Sequence, residues 1–166
     1  MEPTLSWVWH IVAMEPTKSR AAVVSLRDDQ LLVIKRAKQG RRYAVLPGGG
    51  VELDETPHDA ALRELQEETG LSGRVLRPLW TLQHDDRVAA YFFVEVPLAP
   101  MVMAGPEVQN MSPENSYEPC WIRLSDLDSE NLQPAGIRAL IRELAPRNGP
   151  ASETIIFREA WSAASV

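Results

Sequence analysis

The sequence predicts an α/β fold in which a mixed β-sheet lies between helices. Three observations predict it. Apolar runs follow the order strand, strand, strand, helix, strands, helix, the pattern of helices packed on a sheet. Residues 56–70 carry start and stop signals for a helix, and Ile137, Leu140, Ile141 and Leu144 fall on one helical stripe. The length, 166 residues, suits one domain with a real core.

Residues 1–17 read as an N-terminal extension, either an edge strand or packing arm or a partner-binding arm. The apolar stretch 5–13 (LSWVWHIVA) is too short to span a membrane, and no basic segment precedes it as in a signal peptide. Met1-Glu2-Pro3-Thr4 recurs as Met14-Glu15-Pro16-Thr17, too short a repeat to interpret. A domain over residues 18–150 follows, with 151–166 as its C-terminal strand and tail. Residues 21–26 read as a buried strand, 27–30 as a turn and 31–35 as the returning strand. Residues 43–46 form a short strand feeding Pro47-Gly48-Gly49-Gly50.

The helix after this glycine loop is bounded by its own chemistry. Thr56 is an N-cap residue, Pro57 fits the first helical position, Asp59 completes a capping box, and Gly70 supplies the left-handed residue past the last turn. Beyond it, residues 74–84 and 88–96 read as two strands joined at Asp85-Asp86, with Pro78 making the first an edge or bulged strand. His84 reads as a turn residue. Residues 97–116 are a long loop, and 118–124 return as a strand in which Trp121 is a core or base-stacking residue. The last helix begins near Pro134, stops at Pro146 and packs on the sheet face opposite the first, and 154–157 add a short strand.

A net charge of −6 argues against a general surface for DNA or RNA, which needs basic residues to displace counterions. It leaves room for a nucleotide held by a metal and a few local bases. One cysteine, Cys120, excludes an internal disulfide and suits a cytoplasmic location.

On the first helix, Glu64, Glu67 and Glu68 share one arc of about 100°, with Arg63 on its flank. Ala61, Leu62 and Leu65 take the neighbouring arc and face a core, while Asp59 and Gln66 point to water. Like charges at this spacing cost an isolated helix roughly 0.2–0.5 kcal/mol per pair. Two readings follow: a solvated acidic face, or a site for a hard cation, for which magnesium and substrate phosphates are the natural occupants. A second cluster, Lys35, Arg36, Lys38, Arg41 and Arg42, is either a charged hairpin edge or a source of one or two holders of substrate phosphates, with Arg36 the first choice. Tyr43, Trp80 and Tyr91 are stacking candidates for a base, or core.

Gly49, five residues, Glu55, seven residues and then Arg63-Glu64-Leu65-Gln66-Glu67-Glu68-Thr69-Gly70-Leu71 resembles the Nudix box, G-x5-E-x7-R-E-U-x-E-E-x-G-U, at every specified position across 23 residues. Asp54 stands where many members of that family have glycine, at an unspecified position. The resemblance implies an α/β/α sandwich whose site lies at the box loop and helix. It implies a hydrolase of nucleoside diphosphates linked to another group, using Mg²⁺ or Mn²⁺ and in-line attack of an activated water. Carried over, Glu64, Glu67, Glu68 and the Gly48 carbonyl would hold metal, and Arg63 would orient the carboxylates. Glu55, with Gly49 and Gly70, would stabilise the loop. Glu64, Glu114 and Glu118 are candidates for the base. Substrate-binding falls to Arg36, Arg42 and Tyr43. Triphosphates, nucleotide sugars such as ADP-ribose and dinucleoside polyphosphates all remain open. The expected partner is a small-molecule nucleotide, with no nucleic-acid duplex and no membrane, and a homodimer is left open. The competing reading is a nucleotide-binding or regulatory module without turnover.

Overall fold

A computed structural model of the chain describes residues 18–84 and 86–145. The arm at 1–17, the turn residue Asp85, the stop at Pro146 and the strand at 154–157 lie outside them. Strands β1 (Lys18–Val24), β2 (Leu26–Arg27), β3 (Gln30–Lys38), β4 (Arg41–Val45) and β5 (Gly48–Gly50) precede helix α1 (Pro57–Thr69). Strands β6 (Arg74–His84), β7 (Arg87–Glu95), β8 (Asn115–Arg123) and β9 (Leu132–Gln133) follow, and helix α2 (Ile137–Leu144) ends the described fold.

The predicted single mixed sheet is two mixed sheets. One has the order β5-β1-β7-β6, with β1 and β7 parallel and the other pairs antiparallel. The other centres on β3, flanked along its length by antiparallel β8 and on its other edge by β2 and β4, with β9 parallel to β4. Both are sandwiched between the helices, so the α/β class stands. Strand parity builds the two cores. Ala21 and Val23 of β1, with Leu32 of β3, pack against Ala60, Ala61 and Leu65 of α1. The alternate residues Ala22, Val24, Leu31 and Val33 pack against Ile137, Ile141 and Leu144 of α2. The two helices therefore cover opposite faces.

Helix α1 runs over the 13 residues its caps define: the Thr56 hydroxyl accepts from the Asp59 N–H, and Gly70 is left-handed at φ 72°. The loop after β7 completes its C-terminus. The Val102 N–H donates to the Thr69 carbonyl, and those of Ala104 and Gly105 donate to that of Glu67, each at 2.9 Å. A side chain at Gly70 would collide with the Val102 carbonyl. That loop is less irregular than predicted, for it holds a 3-10 turn at Pro106–Asn110. Strand β6 is both an edge strand and bulged, with register shifts on either side of Pro78.

Candidate active site

The site is built where β5 and α1 meet. The glycines predicted as a loop form a strand instead, paired antiparallel with β1 so that Arg20 lies opposite Gly50, Ala21 opposite Gly49 and Ala22 opposite Gly48. Their backbone hydrogen-bonds with β1 while their missing side chains admit the helix carboxylates. The Gly48 N–H donates to Glu68 Oε2 at 2.8 Å, and Arg20 Nη2 donates to the Gly48 carbonyl. A methyl group on Gly49 would fall 2.0 Å from Glu64 Oε1, so that carboxylate fills the space a side chain would need. Glu64 and Glu68 are only 9% and 6% exposed, which excludes a plain solvated acidic face.

Arg63 ties the loop to the helix. Its Nε and Nη2 donate to the two oxygens of Glu55 at 2.9 and 3.0 Å, Nη2 also reaches the Gly50 carbonyl, and Nη1 donates to Glu64 Oε1 at 2.9 Å. Glu67 Oε2 lies 3.5 Å from the same Nη1. The paired hydrogen bonds with Glu55, followed by that with Glu64, hold the guanidinium pKa above its ordinary value. Arg63, then the Glu52 N–H, lower the Glu55 pKa. Among the described residues, no three acidic, histidine or cysteine side chains converge as a ready metal cage. The donors nevertheless suit a hard cation in kind: all are oxygens, and Glu64, Glu68 and Gly48 line one cavity. To use them together, the carboxylates would turn toward one another and Arg20 would yield the Gly48 carbonyl.

The cavity measures about 470 Å³. Beyond the glutamates it is lined by Arg20, Arg36, Tyr43, Tyr91 and Tyr117. Tyr91 is buried, its hydroxyl lies 3.0 Å from His84 Nε2, and burial pushes its pKa up to about 12. His84 thus contacts a cavity residue rather than merely closing a turn. Arg36 stacks over the Tyr117 ring at 3.6 Å, with Tyr43 at 5.9 Å.

Other candidates sit apart. Glu118 pairs in register with Lys35, one residue along from the Arg36–Tyr117 pair, so it faces away from the cavity. With Arg42 it lines a neighbouring cleft, which Arg36 and Tyr43 also border. Glu114 is an exposed loop residue whose carbonyl accepts from the Gln39 N–H. Trp121 packs on the α1-side core beneath Arg27, 4.3 Å away, so it is no stacking platform in the cavity. Sequence reasoning missed Arg20 and Tyr117. The available signals were a cation at the head of an apolar strand and a tyrosine whose parity follows from pairing with β3.

Comparisons with known proteins agree on one grouping. The NUDIX domain family matches residues 16–144. Diphosphoinositol polyphosphate phosphohydrolase 3-alpha of Mus musculus is 36% identical over 85 residues, covering 48% of this chain and 51% of that protein. The chain spans about half the length of the curated relatives it matches. A NUDIX-family hydrolase from Clostridium perfringens superposes with TM-score 0.62 at 17% identity, over 80% of this chain and 98% of that one. An ADP-ribose pyrophosphatase from Streptococcus suis does so with TM-score 0.63 at 19% identity, over 85% and 99%. At those identities the structural likeness is one of fold.

Proposed function

Because the chain belongs to the NUDIX family, we propose that it hydrolyses a phosphoanhydride bond in a small phosphorylated substrate, a nucleoside diphosphate linked to a further group or a related pyrophosphate. The observation that carries this reading is the pair of buried carboxylates, Glu64 and Glu68, held against a side-chain-free strand in a cavity that also presents Arg20 and Arg36. Burying like charges together is costly unless cations or hydrogen bonds balance them. Here four carboxylates, Glu55, Glu64, Glu67 and Glu68, face three guanidiniums, Arg20, Arg36 and Arg63, so the site keeps a formal excess of negative charge.

A divalent cation such as Mg²⁺ or Mn²⁺, when bound, would neutralise pyrophosphate oxygens and polarise the P–O bond. Glu64, Glu67, Glu68 and the Gly48 carbonyl would hold it. Arg63 and Glu55 keep the loop and helix in register while the carboxylates bind. Arg20 and Arg36 meet phosphate oxygens. Glu64, where the cation leaves it free, is the favoured base for the attacking water because it lines the cavity, whereas Glu118 lines the neighbouring cleft and Glu114 is exposed on a loop.

The test is phosphate release from a panel of nucleoside triphosphates, ADP-ribose, dinucleoside polyphosphates and diphosphoinositol polyphosphates with Mg²⁺, using Glu67→Gln and Glu68→Gln as controls. Turnover of at least one substrate, lost in both variants, is expected. Nucleotide binding without turnover of any member would instead identify a regulatory module.

A further inference from the structure

The β3–β4 hairpin concentrates positive charge in a way the anhydride site does not explain. Its register sets Lys38 directly opposite Arg41 and Arg36 opposite Tyr43. Like charges directly across a strand pair are destabilising, and a chain of net charge −6 has carboxylates to spare for neutralising them. Yet among the described residues Arg36, Lys38 and Arg41 take part in no ion pair, whereas their neighbour Lys35 is held by Glu130 at 2.7 Å. Arg36 Nε is buried without a hydrogen-bond acceptor. An orphaned donor on a cation is costly to keep, and a bound anion would satisfy it.

Strand parity places these cations in line. Arg36 and Lys38 are two residues apart on one face of β3, about 7 Å at 3.4 Å per residue, and their cross-strand partners Tyr43 and Arg41 share that face. Lys38, Arg41, Asn131 and Gln133 line a cleft of about 450 Å³ that contains no carboxylate. Tyr43 and Gln133 also line the cavity of Glu64 and Glu68, so the two spaces adjoin. Lys35 and Glu118 belong to a different cleft, which Arg36 and Tyr43 also border.

We propose that this adjoining cleft is a second subsite, which takes phosphates distal to the scissile anhydride. Tyr43 and Gln133 stand at its junction with the first, Arg36 lies on the first site's side of Tyr43, and Lys38 and Arg41 line the second. The inference rests on the anhydride-hydrolase reading and narrows it: the substrate is a polyanion with at least two phosphates beyond the bond that is cut. A linear phosphate chain and a multiply phosphorylated ring share this chemistry.

The test uses the full chain and the double variant Lys38→Gln/Arg41→Gln, assayed with Mg²⁺ on adenosine 5′-tetraphosphate and on ADP-ribose, which has no phosphate beyond its single anhydride. The KM ratio of tetraphosphate to ADP-ribose should rise about tenfold in the variant, and the salt dependence of kcat/KM on the tetraphosphate should flatten. Equal KM rises on both nucleotides, or none on either, would overturn the subsite. A calorimetric arm keeps the two readings separable. Inorganic tripolyphosphate and inositol hexakisphosphate are titrated into the Glu67→Gln chain with and without the double substitution. Weakened binding of either supports the subsite even if no nucleotide is hydrolysed, and the tighter of the two identifies chain or ring. Binding of neither, or tighter binding of a short RNA than of both, overturns it.

Discussion

Two neighbouring glycines should fail in opposite ways when given a methyl group. At Gly49 the added carbon would lie 2.0 Å from Glu64 Oε1 and 2.3 Å from its Cδ, both at the end of a flexible side chain. Gly49 is not among the positive-φ residues, so alanine meets no backbone strain there. Ordinary contact begins at 3.4 Å, so the carboxylate must retreat by about 1.4 Å. Turning a side chain off its rotamer costs roughly 0.5–1.5 kcal/mol, and replacing glycine by alanine at a compatible φ returns about 0.4–1 kcal/mol. Net stability should hardly change. The displacement, however, falls on the group proposed to hold a cation and activate water, and misplacing such a group by about 1 Å costs on the order of 100-fold in rate.

At Gly48 the added carbon would lie 2.2 Å from the Ala21 carbonyl oxygen and 2.7 Å from Ala22 Cα, at φ +152°. Both obstacles are backbone and cannot swing aside. Strain at such a φ costs about 1–3 kcal/mol, and overpacking adds roughly 1–3 kcal/mol. A loss of about 3 kcal/mol would lower Tm by roughly 6–12 °C in a domain of this size. Thermal melts by circular dichroism, paired with phosphate release on whichever substrate the panel identifies, read both effects. Gly49→Ala should keep its Tm and lose activity, while Gly48→Ala should lose Tm. A Gly49→Ala protein as active as wild type, or as destabilised as Gly48→Ala, would refute the view that Gly49 exists to clear space for Glu64.

Further outcomes follow from the same contacts. Glu55→Gln removes the charge that pairs with Arg63 while touching nothing in the cavity, so activity should fall roughly 10- to 100-fold, with a raised Mg²⁺ requirement; an unchanged Mg²⁺ titration would show that Arg63 needs no partner to orient Glu64 and Glu67. Arg142, then Arg138, hold the Asp128 carboxyl below the ordinary aspartate value of 3.8. A depressed folded pKa means its stabilising contribution is present above that value and is lost as pH falls through the folded pKa. The Tm gap between wild type and Asp128→Asn should therefore be constant near neutrality and close below about pH 4; a gap that widens in acid would contradict the assignment. Leu65→Ala empties a fully buried position between α1 and the sheet and should cost about 2–5 kcal/mol in urea unfolding, a loss below 1 kcal/mol being inconsistent with that packing.

What could be read from the chain beforehand was whatever its local chemistry determines. Helix α1 was legible to the residue because both of its ends are set by neighbours within four positions: Thr56 with Asp59, and Gly70 with Gln66. The α2 stripe was legible from the apolar spacing of Ile137, Ile141 and Leu144, and Pro78 at an edge from its missing N–H. Strand β5 was not. Three glycines carry no β-propensity, and only the distant pairing with β1 makes them a strand. Strand β9, two residues long and paired across a long separation with β4, left no periodic trace either. The same blindness separates the site candidates. Glu64 and Glu68 were found because helical spacing puts them together, whereas Arg20 and Tyr117 reach the cavity only through register. Glu118 shows the converse. The family resemblance made it a candidate base, but one step of strand parity turns it to the opposite face of the sheet from Tyr117.

That glycine strand changes what kind of site this is. A flexible loop beside a carboxylate helix would have to be ordered by its ligand, at a cost in affinity. A strand already paired with β1 is ordered beforehand, and groups carried on strands and helices are held more closely than those on loops. The alanines of β1 are part of the same device. Ala21 and Ala22 are small enough to let β5 approach, yet their side chains enter opposite cores, so one short strand anchors the glycine wall to both helices at once. The Gly48 N–H fixes Glu68 from one side, and Arg63, braced by Glu55 and the Gly50 carbonyl, fixes Glu64 from the other. Acidic side chains that would repel one another on an isolated helix are thereby kept in place by the glycine backbone and by Arg63.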